Sequence, residues 1–218
     1  IGTGSAVGVL VGPSISSFMT WLGGLINWGT EQQPFLMGIV VSVLMGMILT
    51  LPISSAALGV ILNLSGLAAG AATVGCCCNM IGFAVASFRE NGVGGLIAQG
   101  VGTSMLQVPN IIKNPRIWLA PTLASAVTGP IATCIFGMQM NGAPISSGMG
   151  TCGLVGQIGV YTGWLNDITA GAKTAVTAMD WLGLVLICFV LPAVLSFAFD
   201  LIFRKIGWVK DGDMKIDA

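Results

Sequence analysis

Four stretches of this chain, 34–50, 67–88, 116–138 and 181–203, run almost without charge. A membrane-crossing helix needs about 20 mostly apolar residues. In lipid each backbone amide must be paired internally, which makes the helix the usual spanning form. Composition removes the soluble alternative: only 7% of residues are charged, against roughly 25% in a soluble domain. The chain therefore reads as an all-α, polytopic transmembrane protein in contact with a lipid bilayer, with residues 1–218 forming one domain. It begins with Ile1, so the expectation is an N-terminally incomplete domain.

Between these stretches lie shorter apolar segments, 5–28, 52–66, 94–112 and 144–163, broken by Gly, Pro and Ser. They are too interrupted for plain spans and too apolar for free loops. Glycine permits unwound backbone, and non-helical backbone is tolerated at membrane depth where it is buried in protein. These segments are expected to be re-entrant turns or broken helices.

Lys and Arg collect on the cytoplasmic side. Arg204, Lys205, Lys210 and Lys215 place the C-terminus in the cytoplasm, and Arg89, Lys113 and Arg116 place the 89–116 connection there too. This predicts in-to-out for 34–50 and 116–138 and out-to-in for 67–88 and 181–203. Trp21, Trp28, Trp118, Trp164 and Trp181 lie near segment ends, as in an interfacial belt.

The string Pro-Ile-Ser-Ser occurs at 52–55 and again at 144–147, with a looser version at Gly12-Pro13-Ser14-Ile15-Ser16-Ser17. It suggests two repeat units, 34–89 and 116–203, parallel by the charge reading. Transporters often place broken helices around a midplane site. Proline removes an amide donor and bends the chain, freeing carbonyls. Ser54, Ser55, Ser146 and Ser147, with Asn141 and Gln157 flanking the second break, could pair with a hydroxyl-rich solute. They could equally serve close helix packing.

Glu31 is the only acid in the first 89 residues and sits among Gly29, Thr30, Gln32 and Gln33. It could bind a solute hydroxyl or carry a proton, or simply suit a helix start. Gln32 is grouped with it. Asn79 is expected to hydrogen-bond across helices, and Asp200 to pair with Arg204 four residues on.

The chain has no His, which removes imidazole catalysis and a phosphohistidine site. Its six cysteines lie in apolar runs without paired spacing and read as small apolar residues. No catalytic, cofactor-binding or metal residue is expected. Zero net charge gives no case for nucleic acid.

The strings GTGSAVGVLVGPSISSFMTWLG (2–23), GTEQQPF (29–35), LPISSAALG (51–59) and MNGAPISSGMGTCGLVGQIG (140–159) together resemble the membrane region of PfoR-type proteins. These are grouped with the enzyme IIC components of the bacterial sugar phosphotransferase system. The resemblance implies a multi-pass inner-membrane protein, often a homodimer, that moves a sugar while a separate cytoplasmic IIB protein donates phosphate. At most it would be the membrane subunit of a protein-phosphohistidine–sugar phosphotransferase. PfoR-type proteins have also been described as regulators, so a ligand sensor stays open beside an ion-coupled transporter. Gly29-Thr30-Glu31 is similar to a Gly-x-Thr-Glu-Pro motif whose Glu binds sugar in glucose-type permeases; here Gln32-Gln33 separates Glu31 from Pro34. That departure, like the missing His, bears on phosphate coupling more than on solute binding.

Overall fold

The computed structural model describes residue 17 and residues 20–216, all-helical with turns and no strand among them. The loose motif at 12–17 lies outside the described residues apart from Ser17. Helix α1 covers 20–32. It is followed by α2 (Pro34–Thr50), α3 (Ser55–Ile61), α4 (Gly66–Ala86), α5 (Phe88–Ile97), α6 (Val108–Lys113), α7 (Leu119–Pro130), α8 (Val155–Thr169), α9 (Ala178–Val185) and α10 (Leu191–Ile206). Among the described residues three helical stretches are long and apolar enough to cross a membrane: Gly66–Ala86, Pro115–Ile135 and Ala178–Ile206. Pro34–Thr50 is a shorter apolar helix of 17 residues. These match the four uncharged stretches of the sequence.

Helix α4 is the axis. It is built of Ala, Gly, Cys and other small residues, and nearly all of its 21 residues are buried. Small side chains allow the close approach on which helix association in membranes depends. At Gly75 a Cβ would lie 1.8 Å from the Ser42 carbonyl oxygen, so no larger residue fits between α2 and α4. Cys76, Cys77 and Cys78 are fully buried in this packing, as expected of small apolar residues.

Contacts fix the directions. Ser42 and Gly46 on α2 meet Gly75 and Asn79 on α4, so these helices run parallel. Gly82 meets Ser196, and Ala86 meets Arg204, so α10 is parallel to α4 as well. Helix α7 is opposed. The Thr133 hydroxyl donates to the Pro34 carbonyl (2.8 Å) and the Ser42 hydroxyl to the Ser125 carbonyl (2.9 Å), so α2 ascends as α7 descends. This corrects one expectation: 34–50 and 116–138 do not run the same way. The first basic residue in the chain is Arg89, so no Lys or Arg flanks α2 for the charge rule to act on.

The bundle has two chemically different ends. One, the basic end, carries Arg89, Lys113, Arg116, Arg204, Lys205 and Lys210. The other, the far end, is where Met140 N donates to the Gly66 carbonyl (3.0 Å).

Candidate functional site

Three of the broken segments, 52–66, 94–112 and 144–163, are re-entrant, and their tips meet inside the bundle; 5–28 lies largely outside the described residues, and its part from residue 20 belongs to α1. After α2 the chain turns at 51–54 and climbs through α3 back to the far end, where Asn27 on α1 holds Asn63 and Ser65 (3.0 and 3.3 Å). From Asn141, also at the far end, a second segment descends through a tight turn at Pro144–Gly148. It reverses around Gly150–Leu154, where Gly153 and Leu154 have positive φ, and returns as α8. A third enters from the basic end. Gln99 bonds Ser87 (2.8 Å), Gly100 packs on Ala84, and Gln107 comes back level with Gln99 (2.9 Å), leaving residues 100–104 as the tip.

Two hydrogen bonds join tips from opposite ends. Thr50 Oγ1 and Ser104 Oγ lie 3.0 Å apart, and the Thr151 hydroxyl donates to the Gly100 carbonyl at 2.6 Å. The junction lies beside Asn79 and Met80, about 20 Å along α4 from Gly66 at about 1.5 Å per residue. Asn79 ties the surroundings together. Its Oδ1 accepts from Trp118 Nε1 (3.1 Å) and Thr50 Oγ1 (3.4 Å), and its Nδ2 donates to Ser125 Oγ (3.3 Å). A buried amide on α4 satisfied from α2 and from the Pro115–Ile135 stretch fixes the register of the three, because an unpaired group there is costly.

At the far end a cavity of about 630 Å³ opens between the 135–141 connection, α8 and α9. That is within the roughly 300–1,000 Å³ typical of small-molecule sites. Trp164 and Phe136 give it apolar faces; Gln139, Asn141, Asp167, Lys173 and Asp180 give it polar groups. The Asp167 carboxylate accepts from Asn141 Nδ2 (3.0 and 3.2 Å), while Asn141 Oδ1 accepts the Gly66 amide (3.0 Å) and so anchors the root of the second re-entrant segment. Lys173 Nζ sits 2.6 Å from Asp180 Oδ1 and 5.3 Å from the Trp164 ring centre. Asp180 also closes a capping box with Thr177 at the start of α9. Since Lys173 is neutralised by Asp180, the lining carries the net charge of Asp167. Such a lining disfavours an anion.

Of the residues singled out from sequence, Asn141 alone lines this cavity. The two Pro-Ile-Ser-Ser breaks touch each other. The Ser55 hydroxyl donates to the Gly148 carbonyl (2.6 Å), and the Ser147 hydroxyl to the Pro144 carbonyl (2.7 Å). Ser54 caps α3 by accepting the Ala57 amide (3.2 Å), and Ser146 is buried under Gly159. Gln157 Nε2 donates to Cys77 Sγ (3.2 Å), while its Oε1 is buried without a partner. Glu31 and Gln32, at the end of α1, are exposed and do not line the cavity. Trp164, Asp167 and Asp180 were not singled out as site residues. Their signal is visible in retrospect: a charge-poor chain places Asp167, Lys173 and Asp180 close together in one connection. Trp164 is 6% exposed and Trp118 donates inward to Asn79, so neither belongs to an interfacial belt, whereas Trp21, Trp28 and Trp181 are exposed.

The profile of the family described as "Phosphotransferase system, EIIC" matches residues 1–216. No curated protein and no solved structure matches the chain.

Proposed function

The chain belongs to the phosphotransferase system EIIC family, and from that premise we propose that it carries a neutral sugar or polyol from the far-end cavity to the basic end. It is a membrane transport component by family and by its apolar helices. The observation that supports the route is the junction of re-entrant tips: Thr50–Ser104 and Thr151–Gly100 close the path between a solute-sized polar cavity and the opposite end. Transporters of other folds likewise place discontinuous helices at the membrane midplane. In this reading the basic end is cytoplasmic and a IIB protein phosphorylates the sugar there. The active unit is a homodimer.

Each cavity residue has a role that its chemistry suits. Trp164 offers its ring to the apolar face of a sugar, while Asp167 accepts hydroxyl protons and Asn141 both donates and accepts. Asn141 also holds Gly66 and Asp167, so occupancy of the cavity is felt at the root of the second re-entrant segment. Ser55, Ser146 and Ser147 then shape the moving parts. Glu31 and Gln32 are a second possible contact, from the likeness of Gly29-Thr30-Glu31 to the sugar-binding motif.

The test is uptake of labelled sugars into liposomes holding the full-length protein, with phosphoenolpyruvate, the general phosphotransferase proteins and a IIB protein. Phosphorylated sugar inside, reduced at least tenfold by Asp167→Asn or Trp164→Ala, supports the cavity. The same loss from Glu31→Ala with Asp167→Asn unaffected moves the site to α1. Saturable binding without accumulation makes the protein a sensor of the PfoR kind, and uptake that ignores phosphoenolpyruvate and collapses with a protonophore makes it ion-coupled.

A further inference from the structure

After α10 the chain reverses at Gly207, whose φ of 81° suits glycine, and segment 207–216 is laid back across the basic end. It is bound to the third re-entrant segment and its neighbours. Gln107 Nε2 donates to the Met214 carbonyl (3.0 Å) and Asn110 Nδ2 to the Lys215 carbonyl (2.9 Å). Asn91 accepts the Ile216 amide (2.8 Å), and Met214 is fully buried. Between segment and hairpin a cleft of about 390 Å³ remains.

We propose that this cleft seats the phosphate of an anionic phospholipid. Lys113 lines it from the hairpin side and Lys215 from the returning segment; both side chains are exposed, and among the described residues neither forms an ion pair. The nearby acids are engaged elsewhere. Glu90, Asp200 and Asp211 all bind Arg204, and Asp213 accepts from Asn114 and the Lys210 amide. Among the described residues two cations are thus left facing one cleft with no carboxylate in its lining. Much of the remaining wall is apolar: Met105 and Leu106 line the cleft and are about two-fifths exposed, and Ile112, next to Lys113 in the chain, is 76% exposed. A phosphate between two lysines with an acyl chain along these side chains satisfies both surfaces, and a free phosphate satisfies only the first. Basic pockets between helices bind anionic headgroups on the same physical grounds. A lipid held here touches both the returning segment and the re-entrant hairpin, so it braces the two together. The inference does not rest on sugar transport.

Native mass spectrometry of the detergent-solubilised full-length protein tests it, after exposure to phosphatidylglycerol, phosphatidylcholine or inorganic phosphate. Phosphatidylglycerol is expected to be retained over phosphatidylcholine. Lys113→Gln and Lys215→Gln should each lower its retention about fivefold, and Lys205→Gln, outside this cleft, should leave it unchanged. Thermal melting in detergent checks that the variants stay folded. Equal retention of the two lipids, unchanged retention in both lysine variants, or displacement of the lipid by equimolar inorganic phosphate would each overturn the proposal.

Discussion

The two ends of the bundle are closed by different means. At the far end the cavity walls are linked by a few polar contacts, Asn141 to Asp167 and Lys173 to Asp180, around open volume. At the basic end Arg204 binds Glu90 (3.0 Å), Asp200 (2.7 Å) and Asp211 (2.7 Å), and Glu90 also accepts the amides of Gly212 (3.1 Å) and Met214 (2.8 Å). The side chains of Arg204, Glu90 and Asp200 are each less than a tenth exposed. Among the described residues one end holds open volume and the other is latched by charge, which in the proposed reading is the form of a carrier facing its far end. On the proposed route, passage to the basic end would need the tip junction to part.

The comparison sharpens at the latch first. Arg204→Met removes the shared partner of Glu90 and Asp200, stranding Asp200 and leaving Glu90 only its backbone amides; breaking a buried pair typically costs about 3–5 kcal/mol. It should give the largest fall in thermal stability in detergent. A variant as stable as the parent would mean that the basic end is not held by charge. Next comes Asn79→Leu, which leaves Trp118 Nε1 without its acceptor and removes one of the partners of Thr50. The expected loss is about 1–3 kcal/mol, read as a lower melting temperature with no change in cavity ligand affinity. Ser55→Ala removes the bond between the two breaks and should cost about 1 kcal/mol. At the far end Lys173→Gln should change stability by at most about 1 kcal/mol, because this pair is partly exposed. A larger effect there than at Arg204 would reverse the assignment of open and latched ends.

Much of the fold was legible in the sequence, because long uncharged runs have few other solutions in lipid. The runs 67–88 and 181–203 became Gly66–Ala86 and Ala178–Ile206, and the broken segments 52–66, 94–112 and 144–163 became the re-entrant ones, while 5–28 lies largely outside the described residues. Asn79 and the Asp200–Arg204 pair took the structural roles their positions suggested. The direction of α2 was not legible, since direction is read from Lys and Arg and none precedes Arg89. The site was half legible. Asn141 flanks a break and lines the cavity, but a serine's hydroxyl can be taken up by a carbonyl far away in sequence. Ser55 bonds Gly148, 93 residues on, a pairing that periodicity does not contain. Trp164 near a segment end looks interfacial until α9 folds over it.

The central claim is that re-entrant tips from opposite ends form the barrier. It is tested most directly by joining Thr50→Cys and Ser104→Cys in a background carrying Cys134→Ala and Cys152→Ala, with mild oxidation in liposomes. The account predicts efficient cross-linking that abolishes solute passage, and recovery on reduction. Failure to cross-link in folded protein, or undiminished passage through the cross-linked form, would contradict it.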